Sequence, residues 1–305
     1  MRIDQAIAEL FPDFSRSRLQ SWIRNGSLVL DGSPVRPKHR VAGGEMVRLE
    51  AELEPESQVT PQDIPLNIIA EDEHIIVINK PAGLVVHPAA GHADGTLQNG
   101  LLYFDPSLAT IPRSGIVHRL DKDTSGVMVV ARSLKAHNAL VSQLQDRSMS
   151  RIYRAVAHGV MQRSGSVDAP IGRNPHDRQK MAVVPSGRPA VSHFKLLKAF
   201  EHFSHIRVSL QSGRTHQIRV HMRHIGHPLI GDPQYGQKLP KTIGLEAGVA
   251  KTVSEFPRQA LHARTLRLIH PQSGKECEFT APVPDDFADL LLGLAEGDFE
   301  RKDDQ

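Results

Sequence analysis

Residues 118–131 read His-Arg-Leu-Asp-Lys-Asp-Thr-Ser-Gly-Val-Met-Val-Val-Ala. One carboxylate, Asp121, stands between two cations, Arg119 and Lys122, and the polar cluster Asp123 to Gly126 follows. The apolar run Val127 to Ala131 then reads as a buried strand. A charged stretch that leads directly into a buried strand is a loop held on a rigid scaffold, where catalytic groups concentrate. Cations beside an acid favour its ionised form, which can serve as nucleophile or base.

Outward from this stretch, the apolar patterning alternates between strands and segregated helices. Leu66 to Ala70, Ile75 to Asn79, Arg151 to His158, Val191 to Lys198, His205 to Leu210 and Leu261 to His270 read as strands. Helices are expected after the caps Thr96 (to about Phe104), Ser133 (to about Arg147) and Thr215 (to Gly226), and over Phe287 to Leu294. This mixture predicts an α+β fold rather than a doubly wound sheet.

The first 50 residues read as a separate small domain. Ile3 to Leu10 forms one helix, and Ser15 caps a second that runs to about Arg24 and stops at Gly26. Leu28 to Leu30 and Met46 to Leu49 are strands, with a tight turn at Asp31-Gly32. Arg16, Arg18 and Arg24 on the second helix, with Lys38 and Arg40 on the hairpin arm, make one cationic surface suited to phosphates. Residues 51–63 are acidic and contain two prolines, and they read as a linker.

The chain of 305 residues carries a net charge of only +3, but the charge is segregated. Residues 110–240 hold 20 Lys and Arg against 7 Asp and Glu, a local net of +13, which leaves −10 for the rest. Concentrated positive charge is the footprint of a polyanion, and nucleic acid is the expected partner. No run of about 18 apolar residues exists, so no membrane helix is expected. The N-terminus lacks a signal-peptide core and reads as that of a cytoplasmic protein. The single cysteine, Cys277, forms no internal disulfide and reads as a strand residue. His216, His221, His224 and His227 show no zinc-ligand pattern, and no phosphate-loop motif is present, so neither metal nor nucleotide cofactor is indicated.

Two further constellations could carry chemistry. In Gly213-Arg-Thr-His-Gln-Ile-Arg-Val-His221, Arg214 precedes a helix and can pair with a carboxylate or phosphate, while Arg219 and Arg223 share a face suited to phosphates. In Arg151-Ile-Tyr-Arg154, Tyr153 lies between arginines on an alternating strand, an arrangement that suits stacking on a nucleobase.

Five stretches in the same order resemble the RluA family of pseudouridine synthases, nearest the type that acts on large-subunit ribosomal RNA. They are Asn79 to Pro88, Gly115 to Gly126, Gly213 to His221, Gly231-Asp232-Pro233 with Tyr235-Gly236, and Gln259 to Ala263. The resemblance covers nearly the whole chain. It implies a catalytic domain over 64–297, built on a long, bent, mixed but mostly antiparallel sheet with a central cleft. Ahead of it come the RNA-binding module at 1–50 and the linker at 51–63, and behind it a frayed tail at 298–305. It further implies isomerisation of uridine to pseudouridine in large-subunit (23S) ribosomal RNA, in a stem-loop; that reaction exchanges neither electrons nor phosphates, so no cofactor or metal is needed, and a monomer is the default expectation.

By position, Asp121 matches the family's catalytic aspartate, Tyr153 the active-site tyrosine, and Arg214 the arginine that pairs with the aspartate. Contacts to RNA are expected from Arg16, Arg18, Arg24, Lys38, Arg40, His118, Arg119, Lys122, Thr124, His216, Gln217 and Arg219. Ile152 departs from the pattern, since many members carry an acid there, but its side chain should point away from the cleft. The same chemistry on tRNA, and a non-catalytic role as an RNA-binding ribosome-assembly factor, remain the alternatives.

Overall fold

A computed structural model describes residues 1–11, 14, 16–50, 59–89, 92–236 and 244–303, without the side chains of 17 and 297–303. Ser15, most of the acidic linker and the end of the tail therefore lie outside the described residues.

The N-terminal domain comprises α1 (Ile3–Leu10), α2 (Arg16–Asn25) and the short strands β1 (Leu28–Leu30), β2 (Ser33–Pro34) and β3 (Val47–Leu49), in the order β2-β1-β3. It has its own core of Ile3, Ile7, Leu19, Trp22, Ile23, Leu28 and Leu30. The apolar spacing on both helices aims these side chains at the sheet. One buried acid ties the helices together. The Asp4 carboxylate accepts from Arg2, from Arg16 Nη2 at 2.7 Å and from Gln20 Nε2 at 2.7 Å. Burial alone would raise its pKa, but the bonds from Arg16, Gln20 and Arg2 prevail and hold it down to about 2.

The main domain opens with the hairpin β4 (Ile68–Glu71) and β5 (Ile75–Lys80), then α3 (Leu97–Phe104), β6 (Ser125–Ala131) and α4 (Leu134–Gln145). Next come β7 (Ser150–His158), β8 (Gly165–Asp168), the small hairpin β9 (Ile171–Arg173) and β10 (Met181–Val183), and the long pair β11 (Val191–Ala199) and β12 (Phe203–Leu210). The chain finishes with α5 (Gln217–His224), α6 (Ala247–Glu255), β13 (Leu261–Ile269), β14 (Glu276–Thr280) and α7 (Asp285–Asp303).

The sheet runs β4-β5-β6-β13-β7-β12-β11-β8, with β14 added beside β13. Among the described residues only the β6–β13 pairing of this sheet is parallel, so the mixed, mostly antiparallel sheet matches the expectation. All seven residues of β6 are buried, because helices cover its faces and strands flank both edges. That burial is what the unbroken apolar run after Asp121 encodes. A second apolar cluster, including Val156, Phe203, Ile230, Val253, Phe256 and Phe287, joins α6 and α7 to the sheet.

Four differences from the sequence reading have local causes. The β8 strand, the β9–β10 hairpin and α6 were not expected, because each is short and weakly periodic. Thr215 does not cap α5. His216 takes that position in a left-handed conformation (φ 57°), and the Gln217 side chain accepts the Arg214 N–H at 3.0 Å. The helix ends at His224, before Gly226. Finally, α7 extends to Asp303 rather than stopping near Leu294, so the expected frayed tail begins as helix.

At Gly126, where the loop carrying Asp121 enters β6, the backbone has φ +119° and a Cβ would sit 2.1 Å from the Ala263 carbonyl oxygen. The parallel β6–β13 pairing that anchors the loop needs that approach. Gly126→Ala should therefore destabilise the protein by ~3 kcal/mol or more. Thermal unfolding will measure this, and a near-wild-type melting temperature would contradict it.

Candidate active site

The sequence around Asp121 forms the floor of a cleft of about 1050 Å³ crossing the sheet. Main-chain anchors hold the loop. The Lys80 ammonium is 1% exposed and donates to three carbonyls, those of Pro81 (2.7 Å), Leu84 (2.9 Å) and Lys122 (2.8 Å). Burial pulls its pKa down to about 7, against the raising charges of Asp123 and Asp121. Arg258, clamped by Asp286, donates to the Asp123 carbonyl at 3.1 Å. Gln259 Nε2 donates to Thr124 Oγ1, and the Thr124 N–H closes the turn on the Asp121 carbonyl. With its backbone held from beneath, the loop turns the Asp121 side chain into the cleft.

The guanidinium that meets Asp121 is Arg219. Its Nη1 lies 3.0 Å from Asp121 Oδ2, while Nε and Nη2 fork onto Asp232 at 2.7 and 2.8 Å. Its plane lies over the Tyr235 ring, 5.0 Å from the centroid. Asp232 is fully enclosed, and its own main-chain neighbours Gln234 and Tyr235 donate their N–H groups to it. Burial opposes the charge of both partners, yet their pairing raises Arg219 and lowers Asp232 from their ordinary pKa values.

Arg214 is not that partner. It lies before the left-handed turn at His216, which directs its side chain along the rim, where Nε donates to the Pro189 carbonyl at 3.2 Å. Arg219 is within α5, on the face turned toward both carboxylates.

His216 completes the acid's surroundings. Its Nε2 is 3.8 Å from Asp121 Oδ1 and its Nδ1 is 2.8 Å from Tyr235 Oη. Tyr235 Oη accepts the Met181 N–H, so its own hydrogen is free to face His216 Nδ1, which places the imidazole proton on Nε2, toward Asp121. Burial lowers the His216 pKa despite the Asp121 charge, which keeps the ring neutral near pH 7. Tyr153 lines the opposite wall from β7 and is 7% exposed. Burial raises its pKa, so the phenol keeps its proton and offers a ring face.

Several residues expected to meet RNA have partners within the protein. Arg219 lines the cleft with its guanidinium held between the carboxylates of Asp121 and Asp232. Gln217 is buried, bonding Val191, Ser192, Ser212 and Arg214. Thr124 is buried in the loop anchor. His118 lines the cleft but its Nε2 accepts the Val129 N–H, and burial beside Arg151 pushes its pKa down to about 3. It therefore offers no cation. In the N-terminal domain Arg16 pairs with Asp4, Arg18 reaches the Thr110 carbonyl, and Arg24 bonds Gln20. Lys38 and Arg40 are exposed, as are Arg119 at the cleft mouth and Lys122 beside it. His221 bonds Ser192 and Ala169 and is likewise internal.

Lys80 and Asp232 lie in two of the recognisable stretches, but the sequence reading assigned them no role. A buried lysine and a buried aspartate each imply a partner. Which partner is a question of topology.

A profile of the RNA pseudouridylate synthase family matches residues 74–224, and one of the S4 domain matches residues 1–47. The chain is 56% identical to the ribosomal large subunit pseudouridine synthase D of Pseudomonas aeruginosa over 290 residues, covering 95% of this chain and 91% of that one. It is 51% identical to the protein of the same name from Escherichia coli over 305 residues, covering 100% of this chain and 93% of that one. The solved human structures of RNA pseudouridylate synthase domain containing 1 and 4 superpose with TM-scores of 0.56 and 0.59, each at 26% identity. They cover 72% and 75% of this chain, and 84% and 93% of their own. The chain belongs to the RNA pseudouridylate synthase family, with an N-terminal S4 domain. It is accordingly an isomerase that converts uridine to pseudouridine within RNA.

Asp232→Asn should leave Arg219 half-clamped and buried. Breaking such a pair costs on the order of 3–5 kcal/mol. Thermal unfolding should show the loss, and single-turnover product formation should fall with it. Wild-type stability and rate in this variant would show that the clamp does not order the site.

Proposed function

We propose that this enzyme modifies large-subunit (23S) ribosomal RNA, acting as a monomer on uridines presented in a stem-loop. Its relatives at 51–56% identity bear ribosomal large subunit names, and the S4 domain and the +13 central region suit a structured polyanion. The observation that carries the site assignment is Asp121, the sole acid among the described residues that line a cleft shared with Arg113, Arg119, Arg147, Arg151 and Arg214.

The reaction breaks the N1–C1′ bond, turns the detached uracil and joins C5 to C1′. C5 gives up a proton and N1 gains one, so no electrons are exchanged. In this reading the uridine leaves its stack, at a cost of a few kcal/mol. Arginines at the cleft mouth, Arg119 foremost, offset that cost by holding flanking phosphates. Tyr153 stacks on the extruded base. Its raised pKa makes it a platform, and a base only once an acceptor for its proton is at hand. Asp121 is the key catalytic group at the sugar, oriented by Arg219, with the neutral His216 Nε2–H beside it.

Asp121→Asn should bind the RNA about as tightly as wild type while lowering product formation by at least ~10³-fold, the scale of losing an activated nucleophile or base. The test is mapping of pseudouridine in ribosomal and transfer RNA from cells lacking the gene, rescued by either form. Large-subunit sites restored by wild type alone support the proposal. A lost site confined to tRNA would overturn the substrate assignment, and full rescue by the Asn variant would overturn the role of Asp121.

A further inference from the structure

Arg151 is a cation with no counter-charge. It lies on β7 two residues before Tyr153, so both side chains leave the same face of the strand, roughly 7 Å apart along it. The residue is 8% exposed, and its Nε is buried with no hydrogen-bond partner. No described carboxylate pairs with it. The acid that shares its cleft, Asp121, is engaged by Arg219. A cation at a cleft wall with one donor buried and unpaired is costly in the free protein, and such a group is retained where a ligand supplies the missing charge.

The wall beside it is shaped for the same purpose. A Cβ on Gly213 would lie 2.5 Å from Arg151 Nη1, so the bare backbone at 213 is what lets the guanidinium lie flat against the loop before α5. Arg214 follows directly on the rim, and Arg147 lines the cleft from the turn after α4.

We propose that Arg151, seated against Gly213, is a phosphate subsite. It binds one of the two phosphodiesters that flank the extruded uridine, positioning the ribose over Asp121 while Tyr153 holds the base. This rests on the reading of the cleft as the uridine site and adds to it a residue that touches the backbone of the substrate. A phosphodiester suits the geometry better than a uracil carbonyl, because the uncompensated positive charge calls for an anion and uracil is neutral.

The test uses a synthetic stem-loop that the wild-type protein converts, so that failure of the substrate assignment appears separately, in the product assay. Copies carry a neutral methylphosphonate at the linkage 5′ or 3′ of the target uridine. Binding is measured for full-length protein in the Asp121→Asn background, with Arg151 intact or changed to Gln. Arg151→Gln should weaken binding by about 10–100-fold, the scale of a hydrogen bond to a charged group. It should also reduce the slope of log affinity against log salt by about 0.7–0.9. One of the two methylphosphonates should weaken the Arg151 protein by a similar factor and leave the Gln variant unchanged.

With Asp121 restored, Arg151→Gln should raise the RNA concentration for half-maximal rate more than it lowers the rate at saturation, and Arg151→Lys should recover part of the loss. Gly213→Ala, which displaces the guanidinium without removing it, should reproduce the binding defect and covers the case in which Arg151→Gln does not fold. Equal sensitivity of both proteins to each methylphosphonate would overturn the proposal. So would Arg151→Gln with unchanged affinity and salt slope. A loss that follows the melting temperature alone would make Arg151 a structural residue instead.

Discussion

One guanidinium shared by two carboxylates organises this enzyme. Arg219 brings five donors in a rigid fork, and the site uses both ends of it: Nε and Nη2 on Asp232, Nη1 on Asp121. Each member depends on the others. The Asp232 side chain has no solvent exposure and could not carry its charge without Arg219, and Arg219 could not be buried in α5 without Asp232. Asp121 is the partner left partly open, and it takes its direction from a cation whose own position is already set. Lysine, a point charge on a flexible stem, could satisfy one carboxylate or the other but would not fix the angle between them.

The same economy of position applies to the loop beneath. Lys80, Arg258 and Gln259 all reach the segment from below, and two of these three bond its carbonyls rather than its side chains. Main-chain anchoring leaves the side chains free for chemistry. Its energetic basis is the burial of β6, whose residues are covered on both faces, so that the loop emerges from one of the most constrained parts of the sheet. The side of the loop that lines the cleft is built on the opposite principle. There Arg119 and Tyr153 present charge and aromatic surface, while the left-handed backbone at His216 gives the wall its bend.

Much of this is legible in the chain itself. The unbroken apolar run after Asp121 announced a buried strand, the helix α1 was found over its full length, and the caps at Thr96 and Ser133 stand where helices begin. The aspartate and the tyrosine were both singled out. The departures around the acid's partner fall in the stretch 213–221, and these share one cause. Two arginines, a glutamine and two histidines in nine residues all look like polar surface. Yet the left-handed turn at His216 rotates α5 so that Gln217, Arg219 and His221 face inward and Arg214 stays on the rim. A side chain that finds an internal acceptor cannot be told, by composition, from one waiting for phosphate.

The sequence by itself determined the class of the protein, the alternation of strands and helices, the location of the acid and the segregation of positive charge. These follow from local patterning: periodicity, caps and motif spacing act over a few residues and survive without a fold. Only the tertiary structure decided which cation meets which carboxylate. Asp121 and Arg219 are 98 positions apart, and Arg151 and Gly213 are 62 apart; both pairs meet because the sheet brings β6, β7 and the loop before α5 to one cleft. Pairing over such separations depends on register and on one backbone turn, and no local rule carries that information.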